Sequence, residues 1–146
     1  MQIIPAIDIL DGNCVRLIRG DFEQETVFSS DPVQMALNWQ NQGAEIIHIV
    51  DLNGAKTGTV NNKLIIEDIV SKLEVNVQVG GGIRDLITAR DLINIGVSRI
   101  VLGTAAVKNP NLILTLLKKS TLSRSLSLST DDTVVLLLMD GKTKQK

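Results

Sequence analysis

Residues 46–51 read Ile46-Ile47-His48-Ile49-Val50-Asp51, an almost continuous apolar run that ends in a carboxylate. A strand with one face in water would alternate apolar and polar residues, so this run predicts a strand of a parallel sheet that helices cover. Three other short apolar runs end in residues suited to chemistry. They are Ile3–Ile7 before Asp8, Val75–Val79 before Gly80-Gly81-Gly82, and Ile100–Leu102 before Gly103-Thr104. Because parallel strands end at one edge of a sheet, these terminal residues are predicted to line one active face.

Helical signals alternate with these strands. Helix-starting residues precede stretches with apolar residues at helical spacing at Asp31-Pro32, Asn61-Asn62, Asp85 and Asn109-Pro110. This order predicts four strand–helix units and an α/β fold, with a short ribbon over residues 14–28 inserted before the first helix. Residues suited to function follow all four strands, which favours a (β/α)8 TIM barrel over an open doubly wound sheet. Four units amount to a (β/α)4 half-barrel.

The domain organisation follows from a change in composition near residue 120. Residues 1–119 are predicted to be the N-terminal half of a (β/α)8 barrel, and residues 120–146 an atypical tail. The tail is rich in Ser, Thr and Leu and ends in a lysine-rich segment, so poor order is expected, although Val134–Met139 has the composition of a strand. A half-barrel would expose two strand edges and the flanks of its helices, so self-association is expected.

Composition and charge exclude several classes of protein. The chain has 146 residues, 44% apolar and 21% charged, with a formal net charge of -1, as expected for a soluble domain. It has no basic run for nucleic acid, no secretory signal, and no apolar stretch long enough to cross a bilayer, so a cytoplasmic protein is predicted. A single Cys14 and a single His48 argue against an internal disulfide and a zinc site, and no metal or cofactor is predicted.

The strongest local motif is Val79-Gly80-Gly81-Gly82-Ile83-Arg84-Asp85. Glycines after a strand let the backbone approach an anion closely, and the start of the following helix adds partial positive charge. Gly103-Thr104-Ala105-Ala106 repeats this arrangement with a threonine hydroxyl as a donor. Two adjacent anion-binding loops predict one phosphate held between Gly81, Gly82, Gly103 and Thr104. A plain tight turn is the alternative for the first loop.

Asp8, at the end of the first strand, is the candidate general base, because an apolar run before it should desolvate it and raise its basicity. The alternative is an aspartate that bonds nearby loop amides. Asp51, the equivalent residue on the second strand, is predicted to bind substrate, and for it this interpretation and the loop-bonding alternative are about equal. His48 could contact substrate or be a hydrogen-bonded core residue. Arg16, on the ribbon, could clamp an anion or be a solvated surface charge.

The motifs of the first 119 residues, taken in order, resemble one family. They are Ile4-Pro5-Ala6-Ile7-Asp8, Val15-Arg16-Leu17, His48 to Ala55, Gly80 to Arg84 and Gly103 to Ala106. The chain is similar to the isomerases of histidine biosynthesis that act on phosphoribosylformimino-5-aminoimidazole carboxamide ribotide. The related cyclase subunit of imidazole glycerol phosphate synthase shares the barrel, but residues 5–8 and 50–55 look like the isomerase. Asn53 stands where this family more often has aspartate.

The resemblance implies an Amadori rearrangement without cofactor or metal, in which an aminoaldose opens and becomes an aminoketose. It implies Asp8 as proton acceptor, Arg16 and His48 as substrate contacts, and a phosphosugar substrate bound by a monomeric full-length enzyme. The family's proton donor is an aspartate on the fifth strand, for which Asp131 falls at the matching distance without the matching motif.

Only the N-terminal half of the family pattern is found, which indicates a truncated or frameshifted chain with impaired activity. The alternatives are a noncatalytic phosphate-binding half-barrel that self-associates and a bifunctional isomerase that also acts on phosphoribosylanthranilate.

Overall fold

Four parallel strands form the centre of an eight-stranded sheet. The computed structural model describes residues 3–119, 124–128 and 134–138. In chain order the strands are β1 (Ala6–Leu10), β2 (Asn13–Ile18), β3 (Asp21–Ser29), β4 (Ile46–Asp51), β5 (Asn76–Gly80), β6 (Arg99–Leu102), β7 (Arg124–Leu128) and β8 (Val134–Leu138). The spatial order is β3-β2-β1-β4-β5-β6-β8-β7. The pairs β1·β4, β4·β5 and β5·β6 are parallel, as predicted.

Helices connect the parallel strands. They are α1 (Pro32–Asn41), α2 (Leu52–Thr57), α3 (Lys63–Lys72), α4 (Leu86–Asn94), α5 (Thr104–Lys108) and α6 (Pro110–Lys119). The predicted helix starts are confirmed. The Asp31 carboxylate accepts a hydrogen bond from the Gln34 amide at 2.9 Å, and the Asp85 carboxylate caps α4 in the same way. The two short helices α2 and α5, which directly follow β4 and β6, were not predicted.

The two faces of the parallel strands differ. Alternate residues such as Ile9, Ile47 and Ile100 are fully buried beneath the helices, where each contributes roughly 1.5–3 kcal/mol of hydrophobic stabilisation. The residues between them, including Asp8 and His48, lie on the opposite face and are only partly buried. The described helices therefore cover one face of the sheet, and the other is the face that a barrel would turn inward.

The predicted ribbon is confirmed as an antiparallel pair of strands, β2 and β3, beside β1. A small second core of Leu10, Val15 and Leu52 packs between this ribbon and the start of α2. The Lys56 ammonium of α2 lies 5.3 Å from the centroid of the Phe22 ring on β3. These contacts connect the ribbon to α2, and the ribbon carries Arg16.

After residue 120, where a poorly ordered tail is expected, the structure describes two strands, β7 and β8. β7 and β8 pair with each other, and β8 pairs antiparallel with β6 from Ile100↔Leu136 to Leu102↔Val134. The edge of β6, expected to be exposed, therefore has a neighbouring strand. The other tail residues lie outside the described part of the chain.

Within the described part of the chain, none of the helices has the length and apolarity needed to span a membrane.

Cys14 provides a probe of folding. Its side chain is 4% exposed, and burial together with the negative charge of Asp31 raises the pKa of its thiol to about 11. Because the thiolate is the reactive form, we expect Cys14 to resist a chromogenic disulfide reagent at neutral pH and to react after unfolding in urea. Stoichiometric reaction of the native chain within minutes would contradict the burial of Cys14.

Candidate functional site

The register of the parallel strands brings the candidate base and the glycine loops to one end of the sheet. Asp8 pairs with Val50, Val50 with Gly80, and Gly80 with Val101, so these four residues form one row across the sheet. Neighbouring strands lie about 4.8 Å apart, which separates Asp8 from Gly80 by about 10 Å. The glycine loops follow directly after Gly80 and two residues after Val101, at the same end of the sheet as Asp8.

Four predicted phosphate-binding residues line one cavity. A cavity of about 200 Å³ is bordered by Gly81, Gly82, Gly103 and Thr104, with Arg84 at its side. One water takes about 30 Å³ of liquid volume, so the cavity has room for the four oxygens of a phosphate. We refer to these four residues as the glycine cradle. Arg84 was part of the quoted motif, but sequence reasoning did not select it as a site residue.

Two of the cradle glycines are required by the backbone itself. Gly81 and Gly82 have φ angles of +98° and +75°. Residues other than glycine rarely adopt φ angles in this range. A Cβ on Gly81 would overlap the Asp51 carbonyl oxygen, and one on Gly82 would lie 2.9 Å from the Gly54 Cα. Gly103 differs, because a Cβ there would meet no atom within 4 Å. Its missing side chain leaves open space in the cavity.

The helix ends beside the cradle are not equivalent. Asp85 accepts a hydrogen bond from the Thr88 amide at 2.7 Å, so a carboxylate already caps the N-terminus of α4. This carboxylate offsets the partial positive charge that the sequence analysis assigned to that helix. At α5 the N-cap residue is Gly103, which has no side chain to bond the first amides. The backbone amides after β6 are therefore the better placed of the two for an anion.

Asp8 has the electrostatic environment of a weakened acid. Partial burial raises the pKa of its carboxyl group, and the charge of His48 when that ring is protonated, together with that of Arg16, partly offsets the increase. Asp8 and Arg16 border a second cavity of about 390 Å³, together with Phe28 and Trp39. The structure thus brings Asp8 and Arg16 together beside a cavity that is distinct from the glycine cradle.

His48 lies on β4, between β1 and β5, on the face of the sheet that the described helices leave open. The Gln78 side-chain amide lies 3.1 Å from its Nδ1, so the neutral ring carries its proton on Nε2 when that amide donates. Burial lowers the pKa of His48, while the charge of Asp8 and an interaction with Gln78 act in the opposite direction. A Cβ on Gly80 would lie 3.6 Å from the His48 Cε1, which places the ring beside the strand that leads to the cradle.

Asp51 is fully buried at the end of β4. Its carboxylate accepts hydrogen bonds from the amides of Gly54, Asn61 and Asn62, at 2.9, 2.7 and 3.0 Å, and from the Asn62 side chain at 2.7 Å. Asp51 therefore has the geometry of an aspartate that bonds nearby loop amides, which is one of the two interpretations that its sequence left open.

Three further observations define the limits of the site. Asp131, the candidate proton donor, lies outside the described residues. In the part of the chain that is described, no three His, Cys, Asp or Glu side chains come together as a metal site would require. A cavity of about 480 Å³ bordered by Ile3, Trp39 and Gly43 lies at the opposite end of the strands and contains no predicted site residue.

Comparisons with known proteins give a consistent result. A family model described as "Histidine biosynthesis protein" matches residues 2–144. A relative from Synechococcus sp. is 50% identical over 119 residues, which are 82% of this chain and 47% of the relative. A relative from Pelobacter propionicus is 53% identical over 113 residues, which are 77% of this chain and 46% of the relative.

A third relative, from Acetivibrio thermocellus, is 50% identical over 118 residues, 81% of this chain and 50% of the relative. All three relatives are named 1-(5-phosphoribosyl)-5-((5-phosphoribosylamino)methylideneamino) imidazole-4-carboxamide isomerase. The chain spans about half the length of these curated relatives.

Proposed function

This chain belongs to the histidine biosynthesis protein family, and from that premise we propose that it supplies the base and one phosphate site for an Amadori isomerase. The substrate is a phosphoribosylformimino-aminoimidazole carboxamide ribotide, and the reaction converts its aminoaldose into an aminoketose. The observation that carries the proposal is the single row formed by Asp8, Val50 and Gly80. A substrate phosphate in the glycine cradle would lie at the same end of the sheet as the Asp8 carboxylate.

Phosphate binding and proton transfer are assigned to different residues. Backbone amides and the Thr104 hydroxyl hold the phosphate, which fixes the sugar relative to Asp8. After acid-assisted ring opening gives a Schiff base, the Asp8 carboxylate accepts the proton from the sugar C2, and the resulting enolamine tautomerises to the ketose. Burial of Asp8 supports this role, because a raised pKa makes a carboxylate a stronger base.

The surrounding groups complete the proposal. Arg16 and His48 contact the substrate, and Arg16 borders the same cavity as Asp8, whose carboxyl group its positive charge influences. Asp131 remains the candidate proton donor, and its assignment rests on its position in the sequence. A cytoplasmic location and activity on phosphoribosylanthranilate also remain predictions.

The test begins with the purified chain, inorganic phosphate and the aminoaldose substrate. We expect phosphate to bind at the cradle, seen as shifts of the Gly82 and Gly103 amide signals in NMR spectra, and aminoketose to form. Phosphate binding without turnover would instead support the noncatalytic half-barrel, and sedimentation of the same sample would show whether it self-associates. The absence of phosphate binding would remove the central support for the proposal.

A further inference from the structure

The Asp51 carboxylate has no bonding capacity left for a ligand. Oδ1 accepts from the Gly54 amide and the Asn62 side chain, and Oδ2 accepts from the Asn61 and Asn62 amides. An ionised carboxylate has about four lone-pair positions, and these four hydrogen bonds use them. Because Asp51 is also 0% exposed, its effect on a substrate must pass through the backbone that it holds.

The backbone of residues 52–62 lies directly behind the glycine cradle. The four hydrogen bonds fold residues 52–62 around the Asp51 carboxylate. A Cβ on Gly82 would lie 2.9 Å from the Gly54 Cα and 2.9 Å from the Val60 nitrogen, and one on Gly81 would overlap the Asp51 carbonyl oxygen. Gly81 and Gly82 therefore rest directly on the segment that Asp51 organises, with no side chain between them to absorb a displacement.

The same hydrogen-bond network continues to the strand of the base. The Asn62 side chain also donates to Asn53 Oδ1 at 2.9 Å, and that oxygen accepts from the Asp11 amide at 2.8 Å. The Asn53 amide group donates in return to the Asp11 carboxylate at 2.7 Å. Asp11 lies in the turn after β1, three residues beyond Asp8. An unbroken chain of hydrogen bonds thus joins the turn after Asp8 to the loop behind the cradle.

We propose that Asp51 is a positioning residue, which holds the cradle amides in place for phosphate and in register with Asp8 without contacting the substrate. The inference deepens the proposed function and rests on it. Its physical basis is that a buried carboxylate with four donors has one stable arrangement of the loop, whereas any neutral substitute leaves donors without an acceptor.

The decisive variant is Asp51→Asn. Its amide group would face two N–H donors, so residues 52–62 should shift and disturb Gly81 and Gly82. We expect the affinity for inorganic phosphate, measured by calorimetric titration, to fall about tenfold or more. The Gly81 and Gly82 amide signals should also move in the absence of phosphate. Asp31→Asn makes the same chemical change at the cap of α1 and should leave the affinity unchanged.

A second variant guards against unfolding of the first. Asn62→Ala removes two side-chain hydrogen bonds but keeps the Asn62 amide, so we expect a smaller loss of affinity, about two- to fivefold. Suppose that Asp51→Asn folds, loses thermal stability and still binds phosphate as the unsubstituted chain does. The role of Asp51 is then only structural and the inference is wrong. If Asp51→Asn does not fold, the same result with folded Asn62→Ala leads to the same conclusion. That outcome leaves the proposed function intact. If the unsubstituted chain does not bind phosphate, both are wrong.

Discussion

Replacement of Asp8 with Asn is expected to lower aminoketose formation by about 10²–10⁴-fold, the usual contribution of a positioned general base. Asn has nearly the same shape as Asp but cannot accept the C2 proton, so the geometry of β1 should persist. Phosphate affinity should change little, because Asp8 borders a different cavity from the cradle. A variant that keeps full turnover would exclude Asp8 as the base.

The same variant has a distinct effect on stability. Because burial raises the pKa of Asp8 in the folded chain, the folded state holds its proton more tightly than the unfolded state does. The free energy of unfolding should therefore decrease as pH rises from the ordinary aspartate pKa through the raised one. Asp8→Asn removes this dependence and should be the more stable protein at neutral pH.

Urea unfolding measured across this pH range checks the effect on stability. Asp68→Asn, at an exposed carboxylate of α3 that pairs with Lys72, makes the same change in net charge and serves as the control. An equal pH dependence in the Asp8→Asn variant and the unsubstituted chain would mean that Asp8 is not desolvated in the fold.

The second large effect is expected from Gly81→Ala. An alanine would adopt a φ near +98° and its methyl group would overlap the Asp51 carbonyl oxygen, so the free energy of unfolding should fall by about 1–3 kcal/mol or more. Phosphate binding should be lost with it, because the loop must move to relieve the overlap. Urea unfolding and phosphate titration measure the two effects separately.

Gly103→Ala is the matched comparison. Its methyl group would meet no atom within 4 Å, so stability should be kept, while the group occupies space in the cavity and weakens phosphate binding. If Gly81→Ala proves as stable as the unsubstituted chain, the backbone at this loop does not have the conformation described.

Sequence reasoning succeeded where a feature depends on neighbouring residues. The start of α1 follows from Asp31 and Pro32, which lie next to each other, and the parallel strands follow from runs of apolar residues. The helices α2 and α5 were missed because six and five residues are too few to show a helical period. The antiparallel pairing of β8 with β6 was missed because the apolar composition of Val134–Met139 predicts a strand but does not show which strand it pairs with.

The same distinction applies to the site. Gly81 and Gly82 could be selected because consecutive glycines directly after a strand indicate positive φ angles or a close approach of the backbone to another group. The two interpretations of Asp51 could not be separated, because its partners Asn61 and Asn62 lie ten and eleven positions later and their approach depends on the folded loop. Asn53, noted only as a departure from the family pattern, proves to be hydrogen-bonded to Asp11.

β8 pairs with the free edge of β6, the last strand of the parallel sheet, so a further strand would compete with β8 for that edge. Three residue pairs occupy the backbone groups that a fifth parallel strand would use. Any such strand, whether from a longer chain or from a separate polypeptide, can join β6 only by strand exchange that first releases β8. Closure of the barrel therefore requires that the β7–β8 pair dissociate from β6. The rate of closure then depends on how often the three residue pairs between β6 and β8 separate.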